Sequence, residues 1–161
     1  MATFGIESNG RIENTAVYYN GEQLTGLRSV LLNLSEDGTF DALVSYRGDD
    51  GQLYTRNPFS DYLDHVRTMP PSFTEEEARS MRLLIIESDG TIEHTMVYLD
   101  DQPLDGIVQL FVNISIAEDE PSGKGFSLLR MRRSEVPERA EFRAEITFRE
   151  PDGKLTTENV F

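Results

Sequence analysis

Apolar and polar residues alternate with a period of two through much of this chain. In Leu27 to Ser35, Val30, Leu32 and Leu34 alternate with Ser29, Asn33 and Ser35, leaving Leu31 on the polar side. Alternation of this kind marks a strand with one buried face. Thr3 to Glu7, Arg11 to Tyr19, Phe40 to Arg47 and Gln52 to Asn57 carry the β-branched and aromatic residues of further strands. Between the runs stand Asn9-Gly10, Asn20-Gly21, Asp37-Gly38 and Asp50-Gly51, then Asp89-Gly90, Asp105-Gly106 and Asp152-Gly153. Such pairs tolerate the positive φ of tight hairpin turns. Connections this short favour antiparallel neighbours, since parallel strands need crossovers of a dozen residues or more.

The pattern comes twice. Residues 6–35 (IESNGRIENTAVYYNGEQLTGLRSVLLNLS) align without a gap on residues 86–115, at a shift of 80 and with 13 of 30 positions identical. Unrelated sequences would share about two. Residues 40–59 align on 142–161 at a shift of 102, with 9 of 20 identical, so the second copy carries 22 extra residues near 117–139. The organisation expected is a first β repeat over 1–59, a linker over 60–81 and a second β repeat over 82–161. Strands of the second copy are expected at Arg82–Glu87, Thr91–Leu99, Ile107–Ile116, Ala140–Arg149 and Lys154–Val160. Within the insertion, Phe126 to Arg133 suits a strand or a short helix; a strand fits better, because Pro137 then ends a turn into Ala140.

The fold expected is therefore mostly β: two tandem pseudo-symmetric antiparallel meanders of about five strands each. A repeat of about 60 residues buries too little to be secure alone. The two are expected to share a core as one compact domain, joined by a short helical linker. In that linker Tyr62, Leu63, Val66 and Met69 recur at helical spacing after Ser60, and Pro70-Pro71 closes the run. Thr74 with Glu77 forms a capping-box pattern, which predicts a second short helix over Glu75 to Met81. Leu63, Val66 and Phe73 are expected to pack.

Composition narrows the function classes. The formal charge is −14 and the pI near 4.4. That field repels nucleic acid and anionic membrane, whose binding depends on Lys and Arg, and favours cationic partners. The chain has no cysteine, hence no disulfide framework and no thiolate metal site. MATFGIESNG lacks the basic and apolar regions of a signal peptide. No apolar run approaches the ~20 residues that span a bilayer. A cytoplasmic address is expected.

Charge departs from the average in the insertion and the strand after it. Lys124, Arg130, Arg132, Arg133, Arg139, Arg143 and Arg149 stand there against Glu135, Glu138, Glu141 and Glu145. Phe126, Leu129, Arg130, Arg132, Arg133 and Arg139 are the candidate partner-binding residues, since arginine beside apolar side chains is the usual make-up of a hot spot. The bland alternative is solvated cross-strand charge pairs.

Glu7, Glu13 and Thr15 recur as Glu87, Glu93 and Thr95. Paired carboxylates serve glycosidases at a set separation, but each acid here flanks a tight turn, and duplication alone explains the recurrence. His65 and His94 lie on different elements, outside any metal-ligand spacing. The Asp-Gly turns lack the alternating acids of an EF-hand loop. No Gly-rich phosphate loop or Gly-x-Ser-x-Gly elbow occurs. Asn33 and Asn113, in the most apolar strand of each copy, are expected to face solvent. Tyr18, Tyr98, Tyr19, Tyr46 and Tyr54 are expected to pack within and across strands.

The run Tyr18-Tyr19-Asn20-Gly21-Glu22-Gln23-Leu24-Thr25-Gly26-Leu27-Arg28-Ser29-Val30 resembles a pattern of small phage and prophage β-rich proteins. Leu104-Asp105-Gly106-Ile107-Val108 keeps its second half, while Asp101 replaces the first glycine. The resemblance implies a structural or host-interaction protein. No catalytic residue, cofactor or metal is expected. The leading expectation is a non-enzymatic interaction or structural protein, which binds a protein partner or itself through open sheet edges and the Arg-bearing insertion. Its alternatives are a carboxylate-dependent, carbohydrate-processing hydrolase and an acidic mimic of nucleic acid.

Overall fold

The computed structural model describes residues 1–115 and 141–161. The first copy forms β1 (Ala2–Ser8), β2 (Thr15–Tyr19), β3 (Glu22–Thr25), β4 (Leu27–Ser35), β5 (Phe40–Arg47) and β6 (Leu53–Arg56). The linker contributes β7 (Arg67–Met69) and the single turn of helix α1 (Glu75–Ala78). The second copy forms β8 (Arg82–Ser88), β9 (Met96–Leu99), β10 (Gln102–Pro103), β11 (Ile107–Ser115), β12 (Glu141–Arg149) and β13 (Leu155–Asn159). No helix among the described residues is long and apolar enough to cross a membrane.

These strands make two antiparallel sheets, of order β10-β9-β8-β1-β2-β3-β7 and β13-β12-β11-β4-β5-β6. Each sheet takes strands from both copies, and the copies meet in the middle. In the β1·β8 pair Gly5 lies opposite Ile85, the residue 80 positions on. In the β4·β11 pair Leu32 lies opposite Val112, again 80 positions on. β1 and β4 therefore each pair with their own repeat counterpart. The period-two alternation follows directly: Val30, Leu32 and Leu34 of β4 are buried, as are Leu110, Val112 and Ile114 of β11. With Phe4, Ile6, Leu84 and Ile86 from the other sheet they form one hydrophobic cluster drawn from both copies. Each large side chain fully buried there contributes about 1.5–3 kcal/mol by removal from water.

Asn33 and Asn113 point to the outer face of the smaller sheet. Asn33 Oδ1 accepts from Gln109 Nε2 at 2.9 Å, and Asn113 Nδ2 donates to Glu141 Oε2 at 2.9 Å. Tyr46, by contrast, is wholly buried.

Three expectations are corrected. Among the described residues each copy has six strands rather than about five, because the turn at Asn20-Gly21 opens a hairpin whose second arm is β3, and Asp100-Asp101 does the same for β10. Residues 11–14 are not strand: Ile12–Asn14 form a 3-10 turn, locked by Thr15 Oγ1 donating to the Arg11 carbonyl at 2.7 Å. The linker does not form a helix over 60–69. Asn57 instead gathers the chain into a turn, with its carbonyl accepting from the amides of Ser60 and Asp61. Residues 67–69 then pair with β3. Ten residues of weak helical pattern, with a costly nucleus to form, lose to a sheet edge that offers backbone partners. The short helix at Glu75 does form, with Thr74 and Glu77 in a reciprocal capping box. The strand expected over Phe126–Arg133 lies outside the described residues.

Candidate interaction surface

The linker makes the two copies unequal. It leaves β6, at one edge of the smaller sheet, and reaches β3, near the edge of the larger one, so it closes that side of the structure. Leu63 is buried, and Val66 and Phe73 pack on the core. Polar anchors fix the path. Tyr46 Oη donates to the Asp64 carbonyl at 2.7 Å, and Arg56 donates through Nε and Nη2 to Asp64 Oδ2, both at 3.1 Å. The wholly buried Gln23 clamps the far end: its Oε1 accepts from the Ser72 amide at 2.8 Å, and its Nε2 donates to Ser72 Oγ at 2.9 Å.

His65 sits at the centre of this strap. Its backbone takes a positive φ of 54°, and its carbonyl accepts from the Asp49 amide at 3.0 Å. Its ring stacks on Tyr54 at 5.7 Å, and Tyr54 stacks in turn on Tyr46 at 5.6 Å. Nδ1 lies 2.8 Å from Asp49 Oδ1, and Nε2 lies 3.8 Å from Asp50 Oδ2. Donor atoms of Asp49, Asp50 and His65 fall within 4.8 Å of one another, a grouping able to approach a cation. Hydrogen bonds already occupy it. The two ring nitrogens face different carboxylates, and Asp50 also accepts from the Tyr54 hydroxyl and the Gln52 amide.

That hydrogen bond to Asp50 pushes the Tyr54 phenol up to about 12, with burial and the Asp50 charge adding to it. The same bond holds the Asp50 carboxyl below its usual range. An unfolded tyrosine titrates near 10. Tyr54 thus contributes stability that is whole below pH ~10 and is lost as the pH rises toward ~12. Asp50 contributes stability present above pH ~4 and lost on further acidification. In ultraviolet titration, the difference between wild type and Tyr54→Phe should show one phenol ionising near 12. Asp50→Asn should bring it back toward ~10. Ionisation at ~10 in the wild type would contradict the bond.

Of these polar groups in the first copy, the second keeps the turn aspartate, Asp152 at the place of Asp50, and loses the others that hold the strap. Phe148 stands for Tyr46, Thr156 for Tyr54, Glu158 for Arg56 and Pro103 for Gln23. Side chains buried in the first copy are open in the second: Leu24 and Leu27 are covered, whereas Leu104 and Ile107 are half-buried. Ala16 is 0% exposed, and its counterpart Met96 is 47% exposed. A cleft of about 340 Å³ results, walled by Ile92, Met96, Val97, Leu104, Ile107 and Leu110. Asp105 and Glu36 lie on its rim, the latter paired with Arg149. Beside it β10 ends the larger sheet among the described residues, with only two residues, one of them a proline.

The sequence-predicted sites fare differently. Phe126, Leu129, Arg130, Arg132, Arg133 and Arg139 lie outside the described residues. The recurring acids do not converge. Glu7 accepts from Tyr18 Oη at 2.7 Å, on the outer face of the larger sheet, and Glu13 lies 3.8 Å from Arg11. Burial and the Glu7 carboxylate push the Tyr18 phenol up. Around them is a shallow hollow over Gly5, walled by Tyr18, Leu83 and Ile85; of the four acids, Glu7 alone lines it. The conserved spacing between copies instead builds turns. Ser8 Oγ meets Thr15 Oγ1 at 2.9 Å, and Ser88 Oγ meets Thr95 Oγ1 at 2.8 Å. The amides of Gly10 and Gly90 each donate to the serine two residues back, at 3.0 Å.

The open cleft escaped sequence reasoning, although Pro103 for Gln23 and Met96 for Ala16 were its signals. Compared with protein-family models, curated proteins and solved structures, the chain matches none of them.

Proposed function

We propose that this is a non-enzymatic interaction protein, which takes up a protein partner in the cleft of its second copy. The observation that carries this reading is the inequality of the two sides. The linker covers one with its own apolar and polar side chains, and the other presents Ile92, Met96, Leu104 and Ile107 with no cover among the described residues. A concave apolar site with a few charges at its rim is the usual form of a binding pocket. Edge pairing at β10 does not suffice by itself: Pro103 removes a backbone donor, and short, proline-bearing, acidic edges resist strand addition, so the apolar cleft has to supply contact as well.

Peptides selected from a random display library against the full chain test the reading. Met96→Glu places a charge at an exposed position, so the fold should survive it, as circular dichroism would verify. Selected peptides should lose binding to that variant. If they bind it as well as wild type, the partner site lies elsewhere.

A further inference from the structure

Resting on that reading, we infer that the cleft takes an extended segment in which apolar residues alternate with lysine or arginine. The linker shows how an extended segment sits on the matching side of the first copy. In β7, Arg67 lies opposite Thr25, Thr68 opposite Leu24 and Met69 opposite Gln23. The Arg67 guanidinium packs over Gly26, and its Nε donates to the Arg47 carbonyl at 3.4 Å. The residue opposite an arginine there is neutral.

In the second copy the matching position is Asp105. The hairpin has become more acidic as a whole, since Asp100 and Asp101 replace Asn20 and Gly21. Asp100 is held by Arg82 at 3.2 Å, while Asp101 and Asp105 are exposed at the edge. Glu93, next in sequence to the wall residue Ile92, is exposed. A segment in the register of β7 would bring its basic residue to Asp105 and the residue next to it opposite Leu104, at the mouth of the apolar cleft. The amide of Leu104 is spent on the Val97 carbonyl at 2.9 Å, so the groups of residues 103 and 105 face outward. Pro103 supplies only a carbonyl there, so one ladder bond is lost relative to β3. At about 1 kcal/mol per net hydrogen bond, apolar contact and charge must carry the rest. The polar anchors of the first side are gone, so a segment rich in serine or acids gains nothing from this site. A partner drawn to a chain of charge −14 is cationic in any case.

Two labelled probes decide it by fluorescence anisotropy on the full chain: a peptide alternating leucine with lysine, and the same peptide with glutamate for lysine. The lysine peptide should bind about tenfold more tightly, the ratio that ~1.4 kcal/mol gives. Asp105→Lys with Asp101→Lys should erase that ratio, and Met96→Glu should release both probes. Equal binding of both peptides, each lost on Met96→Glu, would overturn the charge inference and keep the cleft. Binding of neither, or binding indifferent to Met96→Glu, would overturn the cleft itself. Tighter binding once residues 118–138 are replaced by a short turn would show that this chain's own segment is the occupant, and overturn the partner.

Discussion

Phe4→Ala is expected to lower the unfolding free energy by about 3–5 kcal/mol. Phe4 is fully buried, its ring lies 6.1 Å from Phe59, and its backbone pairs with both Tyr19 and Ile86. Its loss empties the middle of the core on the line where the two copies join. Domains of this size hold only ~5–15 kcal/mol in total, so the variant should sit near the limit of folding. Because the pair β1·β8 belongs to both copies, neither half can keep its structure while the other melts. Urea unfolding should remain one transition, displaced to lower concentration. A loss below ~1 kcal/mol would show that the site collapses around the missing ring. Two separate transitions would show that the copies are independent.

The second large effect compares one substitution at two repeat counterparts. Gly26 and Gly106 have nearly the same backbone, with φ of 75° and 73°. Alanine at either position pays the left-handed penalty of about 1–2 kcal/mol. Their surroundings differ. A Cβ at Gly106 would find its nearest neighbour, the Arg149 carbonyl oxygen, at 3.5 Å, which is ordinary contact. A Cβ at Gly26 would lie 2.8 Å from the Arg47 carbonyl oxygen and closer still to the Arg67 guanidinium. Arg67 is the far end of a flexible side chain and can swing away, but the Arg47 carbonyl is backbone. Gly26→Ala should therefore cost about 1–3 kcal/mol more than Gly106→Ala, the range for overpacking. It should also loosen β7, seen as faster amide exchange at residues 67–69. Equal costs would mean that the linker does not press on this turn.

What the sequence disclosed, and what it hid, follows from the range of the interactions. Period two and the Asx-Gly turns are local, so β4, β5, β11 and β12 were legible from them. The shift of 80 was legible too, and with it the prospect of a core fed by both copies. The capping box at Thr74 is legible because both of its partners lie within one turn of chain. β7 was not legible. Three residues carry no period, and what makes them a strand is an edge offered by Gln23 to Thr25, far off in sequence. The Glu7, Glu13 and Thr15 motif was visible but ambiguous, since residues that build a turn and residues that do acid–base work are the same types. Only geometry separates them: Ser8 and Thr15 close a turn, and Glu7 holds a tyrosine. The cleft was hidden most deeply. It exists through the want of any cover over Leu104 and Ile107 among the described residues, and an alignment of the two copies displays substitutions, not covers.

Both predictions rest on the claim that the two copies form one cooperative structure across β1·β8 and β4·β11, with the linker strapped to one side. Native-state hydrogen exchange tests it most directly. Amides of β1, β8, β4 and β11 should open with one common free energy, equal to the global unfolding free energy, with β10 opening more readily than its strapped counterpart β3. Two distinct free energies, one for β1 and β4 and another for β8 and β11, would contradict it.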